Sequence, residues 1–269
     1  MRIAVTGATG RLGRALVAAL GDAPFSGPFG PILWSRPDYD LDDPAAAVPL
    51  IARDRPEIVI HAAAWTDVDG CAHEPQLAMR RNGEAVGELA SACATAGVDL
   101  ILLSTNEVFD GARTDGRGYA NYDQPNPINA YGASKLAGEQ EAWMAYAKTR
   151  RPSEGAPGGP QLAIVRTAWL YGPPGGDFPS KILAAADRAR SAAEPLRVVG
   201  DEIGSPTYAP DLAEAIVELI GSGAFGGIRH AVNAGTASRA AWAREVIRLA
   251  RVDVAIEEGG SIAVGVGEL

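Results

Sequence analysis

Glycines at positions 7, 10 and 13 separate a β-branched apolar run, Arg2–Thr6, from a stretch whose apolar residues recur at 12, 15, 16, 19 and 20. The first run reads as a strand and the second as a helix, because that spacing places the apolar side chains on one face. Glycine at all three positions permits a tight turn, a close approach of backbone to a ligand, and a helix packed hard against the strand. The helix N-terminus then offers unpaired N–H groups and the positive end of its dipole, which suits a pyrophosphate. A strand, turn and helix in this order point to an α/β architecture that holds a dinucleotide on the turn.

Alternation of strand and helix continues for about two thirds of the length. Ile32–Ser35 and Glu57–Ile60 are strand candidates on either side of a helix over Pro44–Arg53. A long helix is predicted over Glu74–Ala96, stopping at Gly97. Val98–Ser104 is nearly all apolar, as a strand covered on both faces should be. A helix over Ala130–Lys148 and a strand over Leu162–Arg166 follow, with the Gly- and Pro-rich stretch from Arg151 to Pro160 read as an exposed crossover loop. Beyond about Ala168 the pattern is less regular. Helices are expected over Asp177–Arg190, Pro210–Ile220 and Ser238–Ala250, with short strands near Leu196–Val199 and Ile228–Val232. The fold class is therefore α/β: a Rossmann-type doubly wound parallel sheet over 1–167 with a smaller C-terminal substrate-binding lobe over 168–269, the two free to interleave.

Composition narrows the partners. With 24 Lys and Arg against 33 Asp and Glu, the formal net charge is −9, the wrong sign for a phosphate-binding surface, so no nucleic acid is expected. No apolar run approaches the roughly 18 residues of a membrane span. The first residues, MRIAVTGATG, enter the strand without a basic and then apolar leader, so no signal peptide is expected. Cys71 and Cys93 lack metal-ligand or CxxC spacing and read as buried thiols of a reducing compartment. A cytoplasmic protein with no metal is the expectation.

The end of the second strand selects the adenosine ribose. An acid there would bond the 2′-hydroxyl and repel a 2′-phosphate. Here the residues are Trp34-Ser35-Arg36, with no acid before Asp38. Arg36 can grip a phosphate in a bidentate fashion, which favours NADPH, with NADH the alternative; the bland reading of Arg36 is a solvated surface arginine.

Tyr131 and Lys135 stand four apart at the start of a helix and so share a face. A phenol beside an ammonium has its pKa lowered and can exchange a proton near neutral pH, and the same lysine can hold the nicotinamide ribose. Seven tyrosines and three lysines in 269 residues would give such a pair by chance roughly 0.08 times. Thr105, in Ser104-Thr105-Asn106, sits where the fourth strand ends, on the edge that faces the ligand crevice. Its hydroxyl can orient a carbonyl undergoing reduction; the plain alternative is a strand-ending cap.

Taken together, GATGRLG (7–13), DLDDP (40–44), HAAAWTDVD (61–69), STNEVFDG (104–111), YGASKLAGE (131–139), RTAWLYG (166–172) and GDEIGSPT (200–207) resemble an extended short-chain dehydrogenase/reductase. Within that superfamily the chain is similar to the dTDP-4-dehydrorhamnose reductase family. The resemblance implies Thr105, Tyr131 and Lys135 as catalytic residues. NADPH would supply hydride to the C4 ketone of a nucleotide-linked 4-keto-6-deoxysugar, and Tyr131 would protonate the alkoxide. It implies cofactor contacts from Gly7, Thr9, Gly10, Arg11, Leu12, Asp40, Leu41, Ala62, Ala63 and Ala64, and substrate contacts from Thr66, Val68 and Trp169, with Asn106 beside the catalytic threonine. For Trp169 the competing reading is an aromatic that packs the lobe.

Several positions depart from the family pattern. Asn106-Glu107 stands where Asp-Tyr is common, Gly70 replaces a lysine, and the C-terminal substrate segment with its Arg-Pro is not recognisable in Val252–Leu269. Some members dimerise through a metal held by glutamates; the matching positions here are Ala15 and Pro210, so a monomer or a metal-independent homodimer is expected. The leading reading is reduction of dTDP-4-dehydro-L-rhamnose to dTDP-L-rhamnose. The alternatives are reduction of a different keto-sugar in a secondary pathway, or a non-catalytic NADP-binding regulatory subunit similar to that of methionine adenosyltransferase. An intact Thr/Tyr/Lys set speaks against the last, because a binding module needs no proton donor.

Overall fold

A computed structural model describes residues 1–149, 159–223 and 226–260. The chain begins as β1 (Ile3–Thr6), α1 (Arg11–Asp22), β2 (Ile32–Trp34), α2 (Ala47–Asp54) and β3 (Ile58–His61). The helix expected over 74–96 is not uniform. After α3 (Val68–His73) come α4 (Pro75–Met79), a π-helical turn over Arg80–Glu84, and α5 (Ala85–Ala96), which ends on Gly97 at φ +72°. The π turn widens the helix by one residue, a change that apolar periodicity does not register. Then follow β4 (Asp99–Thr105), α6 (Ala130–Thr149) and β5 (Leu162–Thr167). Most of the loop expected over 151–160 lies outside the described residues.

The remaining elements are β6 (Leu170–Tyr171), α7 (Phe178–Ala192), β7 (Leu196–Val199), β8 (Ile203–Gly204), β9 (Thr207–Tyr208), α8 (Ala209–Gly221), β10 (Gly227–His230), β11 (Ala237–Ser238), α9 (Arg239–Ala250) and β12 (Ile256–Gly259). Contacts divide the chain into one unit of Met1–Thr167 with Leu212–Ala231, and another of Ala168–Asp211 with Val232–Leu269.

In the first unit six strands form one sheet in the order β10-β5-β4-β3-β1-β2, and every neighbouring pair is parallel. Val5 stands opposite Leu33 on one side and Ile60 on the other, and Leu102 opposite Ile164. β1 and β3 are buried at every residue, as central strands of a parallel sheet must be. Beside them, Trp34, Leu50, Val59, Leu89, Leu100, Leu102 and Ile164 form a continuous apolar core. The strand near 228–232, expected in the lobe, is instead β10 on the edge of this sheet, with Ile228 opposite Ile164. Four residues with no helix of their own gave no sign in the sequence of which sheet they join.

The second unit packs α7 and α9 on β7 through Ile182, Ala186, Leu196, Val198, Ala243 and Ile247. β12 pairs in parallel with β7, β11 antiparallel with β8, and β6 in parallel with β9.

Candidate active site

The glycine turn follows β1 as its spacing requires. Gly7 adopts φ +64°, donates its N–H to the Trp34 carbonyl at 3.1 Å and accepts from the Gly10 N–H at 2.9 Å. A Cβ at Gly7 would stand 2.8 Å from the Ala63 backbone, and one at Gly13 2.7 Å from the Ala8 Cα while running into the Gly7 carbonyl. Backbone therefore closes on backbone where any side chain would block it. Arg11 and Leu12 open α1, and the Thr9 carbonyl accepts from Arg14 Nε at 2.8 Å.

Behind the turn, Thr6 Oγ1 accepts from the Ala63 N–H at 3.2 Å and is bonded to His61 Nδ1 at 2.9 Å. This ties the half-buried Ala62-Ala63-Ala64 segment to β1. His61 is fully buried, and burial pushes its pKa down to about 3, with the Lys135 ammonium adding to the effect. Arg36 is exposed at the end of β2. Asp40 Oδ1 accepts from the Asp42 N–H at 3.1 Å, and Leu41 packs against the core. Asp42 takes a fork from Arg81 at 2.8 and 2.6 Å, and that guanidinium lies 5.2 Å above the Trp65 ring.

Thr105, Tyr131 and Lys135 converge at the carboxyl end of β4. Asn129 Oδ1 accepts from the Gly132 N–H at 2.7 Å, a bond that satisfies one orphan donor of α6. A Cβ at Gly132 would collide with the Glu107 carbonyl, so only glycine lets α6 start this close to the turn after β4. That closeness places Tyr131 near enough to Thr105 for the threonine hydroxyl to favour the ionised phenol. Thr105 Oγ1 accepts from the Glu107 N–H at 3.1 Å and lies 3.4 Å from Asn106 Oδ1. Burial raises the Tyr131 pKa, against the lowering expected from its spacing to Lys135; Thr105 opposes the rise and the Glu107 carboxylate adds to it. Lys135, 4% exposed, donates from Nζ to the Leu103 carbonyl at 2.8 Å. Burial brings its pKa down to about 8, against the pull of Glu139.

Sequence reasoning missed the residues that brace this set. Asn82, in the π turn, bonds both the N–H and the carbonyl of Trp65 at 2.9 Å and Ser134 Oγ at 3.1 Å, and Ser134 Oγ donates to the Tyr131 carbonyl at 2.8 Å. Glu139 accepts from Ser104 Oγ at 2.5 Å and from Arg166 Nε and Nη2 at 2.9 and 2.6 Å. Two signals were available, the first being that 131, 135 and 139 recur every fourth residue on one helical face. Arg166 was the other, a lone charge inside the apolar strand LAIVRT.

Thr66 is exposed in the loop after β3, Val68 is exposed at the start of α3, and Asn106 is half-buried beside Thr105. Trp169 belongs to the second unit. There it adopts φ +43°, carries the Arg239 guanidinium 3.7 Å above its ring and stacks on Trp242 at 5.8 Å.

A parallel sheet with a glycine turn at its first strand and a Thr–Tyr–Lys set at its carboxyl edge is the arrangement of the extended short-chain dehydrogenase/reductases. Within that class, the chain belongs to the RmlD substrate binding domain family, whose pattern matches residues 1–261. It is 39% identical over 248 residues to the dTDP-4-dehydrorhamnose reductase of Mycobacterium tuberculosis, covering 91% of this chain and 74% of that one. It is 38% identical over 250 residues to the dTDP-4-keto-6-deoxy-D-glucose reductase of Streptomyces niveus, covering 93% and 78%. A dTDP-4-dehydrorhamnose reductase of Bacillus anthracis, solved in complex with NADP, superimposes with a TM-score of 0.80 at 32% identity over 97% of this chain and 85% of that one. One from Clostridium acetobutylicum gives 0.85 at 30% identity, over 98% and 86%. Among the described residues no helix is long and apolar enough to cross a membrane.

Proposed function

We infer that this protein is an NADPH-dependent reductase of a dTDP-linked 4-keto-6-deoxysugar, with dTDP-4-dehydro-L-rhamnose as substrate and dTDP-L-rhamnose as product. The observation that carries this reading is the convergence of Thr105 at the end of β4 with Tyr131 and Lys135, one helical turn apart on α6, the lysine anchored on the Leu103 carbonyl at 2.8 Å. The dinucleotide fits the residues present: without Cβ atoms at Gly7 and Gly13 the turn closes on the Ala63 and Ala8 backbone, and α1 begins directly behind it with its N-terminus placed to meet a pyrophosphate. Arg36, Asp40, Leu41 and Ala62–Ala64 would hold the adenosine half, and Tyr131 and Lys135 the nicotinamide half. NADPH, when bound, supplies the hydride that the sugar carbonyl receives.

The chain's own residues manage the proton. Thr105 orients the carbonyl oxygen, and Tyr131 gives its phenolic proton to that oxygen as charge develops on it. The Lys135 ammonium stabilises the phenolate that remains. Thr66, Val68, Asn106 and Trp169 are the residues proposed to meet the sugar nucleotide. We propose that the reaction runs in the cytoplasm, a reading supported by Cys71 and Cys93 as buried free thiols.

A second substrate, dTDP-4-keto-6-deoxy-D-glucose, is supported by the 38% identity to the Streptomyces niveus reductase. Oxidation of NADPH, followed with each enzymatically prepared sugar in turn, tests both. Faster turnover of the rhamnose precursor supports the first, faster turnover of the glucose-configured sugar replaces it with the second, and binding of NADPH with turnover of neither removes the catalytic reading.

A further inference from the structure

Beneath the Tyr131–Lys135 face lies an ion pair that the proposed chemistry does not use. Glu139 and Arg166 are each 3% exposed, joined by a fork in which Nε and Nη2 of Arg166 reach the two carboxylate oxygens. Ser104 donates to the same carboxylate, and Phe109 lies 5.1 Å under the guanidinium. Arg166 Nη1 is buried with no hydrogen-bond partner. Such a pair is a weak source of stability, because desolvating two charges offsets most of their attraction. Placement distinguishes this one. Glu139 is one helical turn beyond Lys135 on α6, and Ser104 follows directly on Leu103, whose carbonyl takes the Lys135 Nζ.

We propose that Glu139 and Arg166 are positioning residues for the reaction: Glu139 keeps Lys135 charged inside the protein, and Arg166 moderates that support. The inference rests on the reductase reading, since a charged Lys135 matters only where Tyr131 delivers a proton. Lys135 is buried, and among the described residues its one hydrogen bond is to a neutral carbonyl, so its charge depends on nearby ions. Glu139 pulls its pKa upward against burial. The groups around it come from several elements. They are His61 at the end of β3, Tyr131 on the same helix, and, next to that tyrosine, Glu107 after β4 and Cys71 on α3. Arg166 on β5 pairs with Glu139, and His230 on β10 feels the charge of both. His61 is neutral at working pH, which leaves Glu139 as the anion on the lysine's own face.

The test is a titration of Lys135 in the full-length protein. The chain has only three lysines, Lys135, Lys148 and Lys181, so side-chain NMR of protein carrying 13C-labelled lysine resolves each one, and Lys135→Met assigns the signal. Glu139→Gln should lower the Lys135 midpoint by about one pH unit, the smaller end of a nearby opposite charge's effect, and Arg166→Gln should raise it. Arg166→Lys, which keeps the charge, should restore the wild-type midpoint. Should a single variant fail to fold, the double variant Glu139→Gln/Arg166→Gln lacks the unpaired charge, and its midpoint should fall below the wild type. Shifts of the same sign in both single variants, or a double variant matching the wild type, would overturn the proposal. The alkaline limb of the kcat profile should move with the NMR midpoint. Absence of turnover in the wild type with these shifts intact would instead count against the reductase reading alone.

Discussion

Asn82 holds Trp65 at both ends of one residue, accepting the Trp65 N–H on Oδ1 and donating from Nδ2 to the Trp65 carbonyl, each at 2.9 Å. The same Nδ2 reaches Ser134 Oγ on α6. A single buried amide thus fastens the segment after β3 to the helix that carries Tyr131 and Lys135. Replacement by an apolar side chain of similar size leaves the Trp65 N–H without its acceptor and takes one donor each from the Trp65 carbonyl and the Ser134 hydroxyl. Asn82→Leu is expected to cost about 1–3 kcal/mol, read as a lower urea midpoint at unchanged m-value.

Tyr131→Phe removes the proton donor and keeps the ring. NADPH affinity should stay nearly unchanged, and turnover should drop by at least about 10²-fold, the lower range for loss of an acid catalyst. Fluorescence titration and initial rates give the two numbers separately. Equal turnover in the two proteins would remove Tyr131 from the mechanism.

Arg36 stands exposed at the end of β2 with no acid beside it. Its guanidinium is suited to a 2′-phosphate. Wild type is expected to prefer NADPH to NADH, and Arg36→Ala to erase the preference. An unchanged ratio of the two affinities would make Arg36 a bystander.

His61 should make the protein acid-sensitive. Its pKa falls from 6.5 to about 3 on folding because burial disfavours the cation. Its contribution to stability is therefore complete above pH 6.5 and is lost as pH falls toward 3, where the folded protein finally accepts the proton. The slope in that window approaches about 1.4 kcal/mol per pH unit. Calorimetric melts across the range should show it, and His61→Asn should lessen the slope; parallel curves for the two proteins would exclude His61 as its source.

Assembly and activity should be indifferent to metal. Ala15 and Pro210 offer no side-chain oxygen, and a hard divalent cation needs oxygen ligands in near-octahedral array. Sedimentation and NADPH turnover after exhaustive EDTA dialysis should match those with Mg²⁺ restored. A dimer that dissolves in EDTA and returns with Mg²⁺ would contradict this.

Much of the fold and of the candidate site was legible because its signals are local. The turn at 7–13 writes its backbone geometry into glycine spacing. Tyr131 and Lys135 share a face on the strength of four residues' separation. What stayed hidden depends on groups distant in the chain. The Asn82–Ser134 bond spans 52 residues and the Arg166–Glu139 pair 27, and no periodicity links such partners. The π turn escaped notice because its extra residue leaves the apolar pattern nearly intact. β10 was read as a strand, but its place beside β5 escaped because an edge strand of four residues carries no mark of its neighbour.

The position of β10 also bears on how the molecule is made. Synthesis runs from the N-terminus, so five strands of the sheet can assemble once β5 has emerged, about 60 residues before Gly227–His230 appears. Until then β5 is the border of the sheet, and its run of buried residues, Leu162–Arg166, offers unpaired backbone to any passing strand. The nascent protein therefore passes through an interval in which β5 is an edge strand, and the late strand covers it.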